Sequence, residues 1–259
     1  MRTHGPALDD PERSHADKTE VKVFGSRAQQ AKFSLASLRI GNVDVIVQEE
    51  AVRNLGVLFD TSLSMNAQVN NLTKTCNFHL ANLRKVRKLL TQDATHTMAR
   101  NLVLSRLDYC NSLLFGVSGE LHRRMQLIQN SAARLVTGSA KHDHITPDLV
   151  HLHWLPVRQR IVFKIAVLVF KALHGESPMY ISEMIASYAP ERTLRSSTKS
   201  LVRESAPKCV TFGGRAFSYA APKLWNKLPS DIRNASSLDL FKKQLKFHLF
   251  NEAYASHLQ

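Results

Sequence analysis

The sequence predicts an α+β protein that is predominantly α: a small antiparallel sheet, then a helical bundle, then an irregular carboxy-terminal module ending in a helix. Three observations carry this. Short β-prone runs crowd residues 20 to 59. From Asn66 onward the apolar residues recur every three or four positions. A stretch rich in Pro, Gly and Ser, 188 to 235, then precedes one last amphipathic segment.

Residues 1 to 16 are polar, contain Pro6 and Pro11 and show no periodicity, so they read as a disordered lead-in. Glu20 to Phe24, Ser34 to Ile40, Val43 to Val47 and Val52 to Phe59 read as strands, with Gly41-Asn42 as a tight hairpin turn. From Asn66 to Leu90 a helix carries Val69, Leu72, Cys76, Leu80, Leu83, Val86 and Leu90 on one stripe. Lys74, Arg84, Lys85, Arg87 and Lys88 lie largely off that stripe. Thr91 is placed to cap the next helix, with Asp93 in its first turn, and that helix runs to about Phe115 before Gly116. A third helix, Glu120 to Thr137, buries Leu121, Met125, Ile128, Ala132 and Leu135 and stops at Gly138. Three amphipathic helices on short connections predict a bundle.

His144 to Val157, with Pro147 and Pro156, reads as a kinked connector containing a short helix. Arg158 to His174 is a strongly apolar helix ended by Gly175, and Pro178 starts another short one. Short strands are expected near Leu201 and Val210. The final helix, Leu238 to Asn251, sets Leu238, Phe241, Leu245 and Leu249 against Lys242, Lys243 and Lys246, with Ser236 or Ser237 as its cap. The expected divisions are 1–16, 17–61, 62–140, 141–187 and 188–259.

The chain has 259 residues, 44% hydrophobic and 22% charged, which suits one large or two small folded domains rather than disorder. Its net charge of +14 points to a polyanionic partner, nucleic acid before a membrane surface. Residues 1 to 60 carry 8 Lys and Arg against 9 Asp and Glu, while 61 to 259 carry 27 against 12, so the whole excess lies in the later part. The alternative is a merely solvated surface. Cys76, Cys110 and Cys209 are odd in number and widely spaced, which suits a reducing compartment. The amino terminus has no apolar run for a signal peptide. Ile161 to Leu173 is interrupted by Lys164 and Lys171 and is shorter than the roughly 20 residues of a membrane span. A soluble intracellular protein, nuclear or cytoplasmic, is expected.

Several segments, in order, carry a resemblance. Ala16-Asp17-Lys18-Thr19-Glu20 leads into a strand ending Phe24-Gly25, and Val52-Arg53-Asn54-Leu55-Gly56-Val57-Leu58-Phe59-Asp60 follows. Then come Ser105-Arg106-Leu107-Asp108-Tyr109-Cys110-Asn111, Leu127 to Arg134, His144-Ile145-Thr146-Pro147 and Leu152-His153-Trp154-Leu155-Pro156-Val157. Phe212 to Tyr219 and Pro222 to Pro229 complete the set. From about Ala16 to Tyr254 the chain resembles the carboxy-terminal part of LINE-type (non-LTR) retrotransposon reverse transcriptases of the Jockey and Rex kinds. The resemblance implies that the first segment corresponds to polymerase motif D, with Lys18 at the family's lysine position, and the second to the primer grip. It implies that the helices after Asn66 correspond to the thumb, which tracks template and primer by sequence-nonspecific contacts with RNA or DNA backbone.

The departures bear equally on function. The family's two catalytic metal ions are held by palm aspartates, a pair of them in a Tyr/Phe-x-Asp-Asp turn. The only Asp-Asp pair here, Asp9-Asp10, follows Leu8, precedes Pro11 and lacks an apolar strand before it. No catalytic residue and no cofactor are therefore expected: Mg²⁺ belongs to the full-length polymerase, and the chain alone is expected not to be an enzyme. Lys18 then reads as an inherited position or a surface lysine. Arg53, Asn54 and Gly56 read either as a backbone-gripping element or as a core strand with a glycine bulge. Lys74, Arg84, Lys85, Arg87 and Lys88 read as phosphate contacts or a solvated face. Arg215 and Lys223, interleaved with Phe217, Tyr219 and Trp225, suit stacking on single-stranded bases or packing of the carboxy-terminal module, with packing favoured. His142, His144, His151 and His153 lack the cysteine partners and spacing of a zinc site; His144 and His153 are expected to cap the proline turns, with Trp154 in the core. The leading expectation is a silent remnant that binds nucleic acid. A structural or protein-interaction helical module, or a decayed reading frame without selected function, is the alternative.

Overall fold

The computed structural model describes residues 19–32, 35–40, 43–188, 200–206 and 213–255, and the chain divides into two compact units, 1–68 and 69–259. The expected lead-in at 1–16, Asp9-Asp10, Lys18, the Gly41-Asn42 turn, Cys209 and the strand near Val210 lie outside the described residues.

In the first unit, α1 (Arg27–Gln30) is a single turn. β1 (Ser37–Ile40) pairs antiparallel with β2 (Val43–Ile46), with Ile40 opposite Val43. β3 (Val52–Asn54) pairs antiparallel with β4 (Val57–Phe59), Asn54 opposite Val57. The expected continuous strand from Val52 to Phe59 is thus corrected. The chain reverses at Leu55-Gly56, whose φ angles of 46° and 82° are both positive, as the hairpin turn that follows strand twist requires. Gly56 is a turn residue and not a bulge. Glu20 to Phe24, expected as a strand, contributes instead a single parallel bridge from Val21 to Val47. The described strands form two separate pairs.

Side chains supply what such small ladders cannot. Lys22 Nζ donates to the carbonyls of Gln48, Glu49 and Glu50 at 2.8, 2.6 and 2.8 Å. The Leu58 N–H donates to Gln68 Oε1 at 3.0 Å. Asp60 accepts from the Ser64 N–H at 2.7 Å and from the hydroxyls of Ser62 and Ser64 at 3.0 Å. Burial opposes ionisation of Asp60, yet these bonds hold its carboxyl below the usual range.

α2 (Asn66–Val86) begins in the first unit and continues in the second, followed by a 3₁₀ turn at Arg87–Leu89. Val69, Leu72, Cys76, Leu80 and Leu83 are buried as the spacing predicts, whereas Val86 is exposed. Burial raises the Cys76 thiol to about 11. α3 (Gln92–Ala99) is capped by Thr91, whose hydroxyl accepts from the Ala94 N–H at 3.2 Å. It passes through a π turn, Arg100–Leu104, into α4 (Ser105–Asp108). The helix expected to reach Phe115 ends here: Cys110 is left-handed, with φ 51°, and Asn111–Leu114 is a 3₁₀ turn. Asp108 meets Arg160 in a two-bonded ion pair at this point, fixing the chain where the helix stops.

α5 (Gly119–Thr137) buries the five predicted residues and ends at Gly138, φ 81°. α6 (Thr146–His151) is the short helix of the connector, and α7 (Val157–Leu173) follows it, then α8 (Met179–Ser182) after Pro178. α9 (Phe217–Lys227) corrects the irregular reading of 188 to 235. Pro222 lies inside it, and the burial of Ala220, Ala221, Pro222 and Trp225 offsets the missing N–H. α10 (Ser230–Arg233) leads to α11 (Leu238–Tyr254), whose cap Ser237 accepts from the Leu240 N–H at 3.3 Å. α5, α9 and α11 all pack on α7. Phe241 of α11 stacks on Phe170 of α7 at 4.5 Å and lies 5.6 Å from the ring of Trp225. Among the described residues no helix is long and apolar enough to cross a membrane.

Candidate nucleic-acid interface

Between Asp60 and Asp93 the sequence contains no acidic residue, and α2 runs through that interval. Its apolar stripe faces inward, so at 3.6 residues per turn Lys74 and Lys85 fall on the opposite side, flanked by Arg84 and Lys88. All four are exposed, and among the described residues no carboxylate pairs with any of them. Such cations, undirected by partners, give affinity for a phosphate backbone without base choice.

Arg87 is different. Its guanidinium donates from Nε to the Leu135 carbonyl at 2.8 Å and from Nη2 to the Val136 carbonyl at 3.3 Å, and from Nη1 to the Leu90 carbonyl at 3.1 Å. Leu135 and Val136 lie in the last turn of α5, where carbonyls lack helical partners and the helix dipole favours a cation. Arg87 therefore ties the end of α2 to the end of α5, and its donors are engaged there. Expected with Lys74, Arg84, Lys85 and Lys88 off the apolar stripe, Arg87 instead has its donors on carbonyls of the protein. The spacing already held the signal, since Arg87 stands four residues beyond buried Leu83.

Phe78 was not legible as a site residue. It is 63% exposed on the outer side of α2, between Lys74 and Lys85 along the helix, with the ring of His79 at 5.5 Å. An exposed aromatic among cations is the combination that stacks on unpaired bases. The only sequence cue was an aromatic out of phase with the apolar stripe.

In the first unit, Arg53 and Asn54 are exposed at the end of β3, beside the Leu55-Gly56 turn. With Glu20, Lys22, Val52 and Phe59 they line a cleft of about 790 Å³. In the carboxy-terminal module the predicted residues divide. Trp225 is fully buried and its Nε1 donates to the Ser200 carbonyl at 2.8 Å, so it belongs to the core. Lys223 sits over the Tyr219 ring at 4.2 Å and donates to its hydroxyl. The aliphatic stem of Arg215 packs against Gly116, whose φ of 69° and lack of a Cβ leave room for it. Phe217 is half-buried at the start of α9.

No family model, curated protein or solved structure matches the chain.

Among the histidines, His153 has φ 52° and lies 5.8 Å from the Phe250 ring, while Trp154 is buried as expected. Among the described residues no group of three or more His, Cys, Asp or Glu is arranged to hold a metal ion.

Proposed function

We propose that the chain is a carboxy-terminal part of a LINE-type reverse transcriptase that holds RNA or DNA by its backbone and, by itself, does not polymerise. The observation that carries the reading is a run of exposed cations, Lys74, Arg84 and Lys85 on the 21-residue α2 and Lys88 in the 3₁₀ turn after it, which among the described residues have no carboxylate partners. The ordered segments from Ala16 to Pro229, and a sequence without a Tyr/Phe-x-Asp-Asp turn, support the assignment. Arg53 and Asn54 add a second backbone contact, and Phe78 adds stacking. A partner of this kind places the protein in the nucleus or cytoplasm.

Titration of a labelled primer–template at several salt concentrations tests this. The four cations of this run alone should contribute roughly −3 to −4 to the log–log slope. Replacing Lys74, Lys85 and Lys88 by Ala together should flatten it by about 2 to 3. Binding that is absent, or indifferent to salt, overturns the reading.

A second reading, a protein-interaction module, is favoured by the apolar surface of the first unit. Leu38, Val43, Ile46 and Leu55 are 44%, 43%, 70% and 84% exposed. Sedimentation across concentrations distinguishes the two: a monomer throughout that binds nucleic acid counts against association.

A further inference from the structure

Three of the segments noted in the sequence, those around Asp108, Gln129 and Trp154, meet at one place in the second unit. Gln129 Nε2 donates to the Leu155 carbonyl at 2.8 Å, and the Val157 N–H donates to Gln126 Oε1 at 2.9 Å. Trp154 Nε1 donates to His96 Nε2 at 3.3 Å with the two rings stacked, and the Tyr254 hydroxyl donates to the Trp154 carbonyl at 2.7 Å. Arg160 clasps Asp108 from the other side. This scaffold borders a cleft of about 710 Å³, within the range of small-molecule sites.

The cleft has two kinds of lining. Arg100 of the π turn, Lys164 of α7 and Lys246 of α11 bring three positive charges from three elements, all exposed and, among the described residues, without ion pairs. Asp108 is the one carboxylate on the lining, and Arg160 already neutralises it. Leu104, Leu155, Phe163 and Trp154 supply an apolar, partly aromatic wall. Burial, and after it the nearby Arg100, hold His96 below the usual imidazole range against the pull of Asp93, in keeping with its accepting role. Asn111, 3% exposed on the same lining, has an Oδ1 that no donor meets. Backbone departures also gather here: the π turn carries Arg100, and His153 and Cys110, the latter next to Asn111, adopt positive φ.

We propose that this cleft binds one nucleotide of a single strand, its phosphate on Arg100, Lys164 and Lys246 and its base against the apolar wall. Three unpaired cations recognise the phosphate, and the wall recognises an aromatic heterocycle, which a bare anion lacks. The site is separate from the α2 face, so either can fail without the other.

Titration calorimetry of the full chain with AMP, and separately with inorganic phosphate, tests it, with tryptophan fluorescence as a second readout because Trp154 lines the cleft. Saturable AMP binding is expected, tighter than phosphate. The combined Arg100→Ala, Lys164→Ala and Lys246→Ala variant should weaken it at least about tenfold, these being exposed positions that leave the far-ultraviolet dichroism unchanged. The Lys74→Ala, Lys85→Ala and Lys88→Ala variant should bind AMP as the parent does. No saturable AMP binding, equal affinity for phosphate and AMP, or an unchanged Kd in the cleft variant would each overturn the proposal.

Discussion

The two units of this chain hold their backbones by different means. In the first, the buried apolar side chains among the described residues are Val45, Val57 and Met65, and the strands are three or four residues long. Lys22 and Asp60 do much of the fastening there, through hydrogen bonds to backbone and nearby hydroxyls. In the second, α5, α9 and α11 bury apolar faces against α7 around Phe170, Trp225 and Phe241. Isolated two-stranded hairpins are marginal in water, whereas a helical core of this size is not. The basic outer face of α2 therefore stands on a helix whose inner face is buried in the second unit, and Arg53 and Asn54 stand on the weaker support.

The largest expected effect is in the helical core. Phe241→Ala should destabilise the second unit by about 3 to 5 kcal/mol, while Val57→Ala should cost the first about 1.5 to 2 kcal/mol. Urea denaturation followed by tryptophan fluorescence for the second unit, and by amide exchange for the first, makes the comparison. Equal losses would break it.

Next comes the contrast between neighbours in sequence. Arg87→Met removes three donors from buried or terminal carbonyls and should cost about 1.5 to 3 kcal/mol, with the nucleic-acid salt slope intact. Lys88→Met should leave stability within about 0.5 kcal/mol and reduce that slope by about 0.9. Should Arg87→Met lower the slope as Lys88→Met does, Arg87 belongs to the interface after all.

Acidity should separate the units further. His96 and His122 are held below the ordinary 6.5, in both cases first by burial. The unfolded chain then takes up protons that the folded chain refuses, so stability is level above about 6.5 and falls as pH drops through it. Asp60 is held below 3.8, so its contribution is present above that value and is lost only as pH falls beneath it. Urea midpoints between pH 7.5 and 5 should fall for the second unit while the first is unaffected by Asp60, and His96→Gln should flatten part of the fall. A midpoint independent of pH over that range would contradict the placement of both imidazoles.

The smallest effect concerns the turn. Leu55→Asn suits a positive φ better than leucine and should stabilise the β3–β4 hairpin by about 0.5 to 1 kcal/mol, seen as slower amide exchange there. No change in protection would mean that the turn is not the weak point of the first unit.

What could be read from the sequence was whatever repeats with the helical period or sits at a helix end. The stripe from Val69 to Leu83, the buried face of α5, the caps Thr91 and Ser237 and the stop at Gly138 all belong to this class. Leu55-Gly56 was missed because leucine seldom takes the first place of such a turn, so no Asn-Gly or Asp-Gly signal announced it. α9 was hidden by Pro222, a local veto that burial against α7 overrules. The end of α4 rests on Asp108 and Arg160, 52 residues apart, and the cleft on His96 and Trp154, 58 apart. Pairings at that range leave no periodic trace. For the basic face the charges were legible, but which of them is spent inside the protein was not, because Arg87 answers to carbonyls on another helix.

The bond from Tyr254 to the Trp154 carbonyl joins positions 100 residues apart. During synthesis, α5 and then α9 are available to α7 before α11 exists, so the part of its apolar face around Phe170 that stacks on Phe241 is the last to be covered. Nascent chains halted before Tyr254 therefore leave Phe170 without its stacking partner and are the species that chaperones should capture.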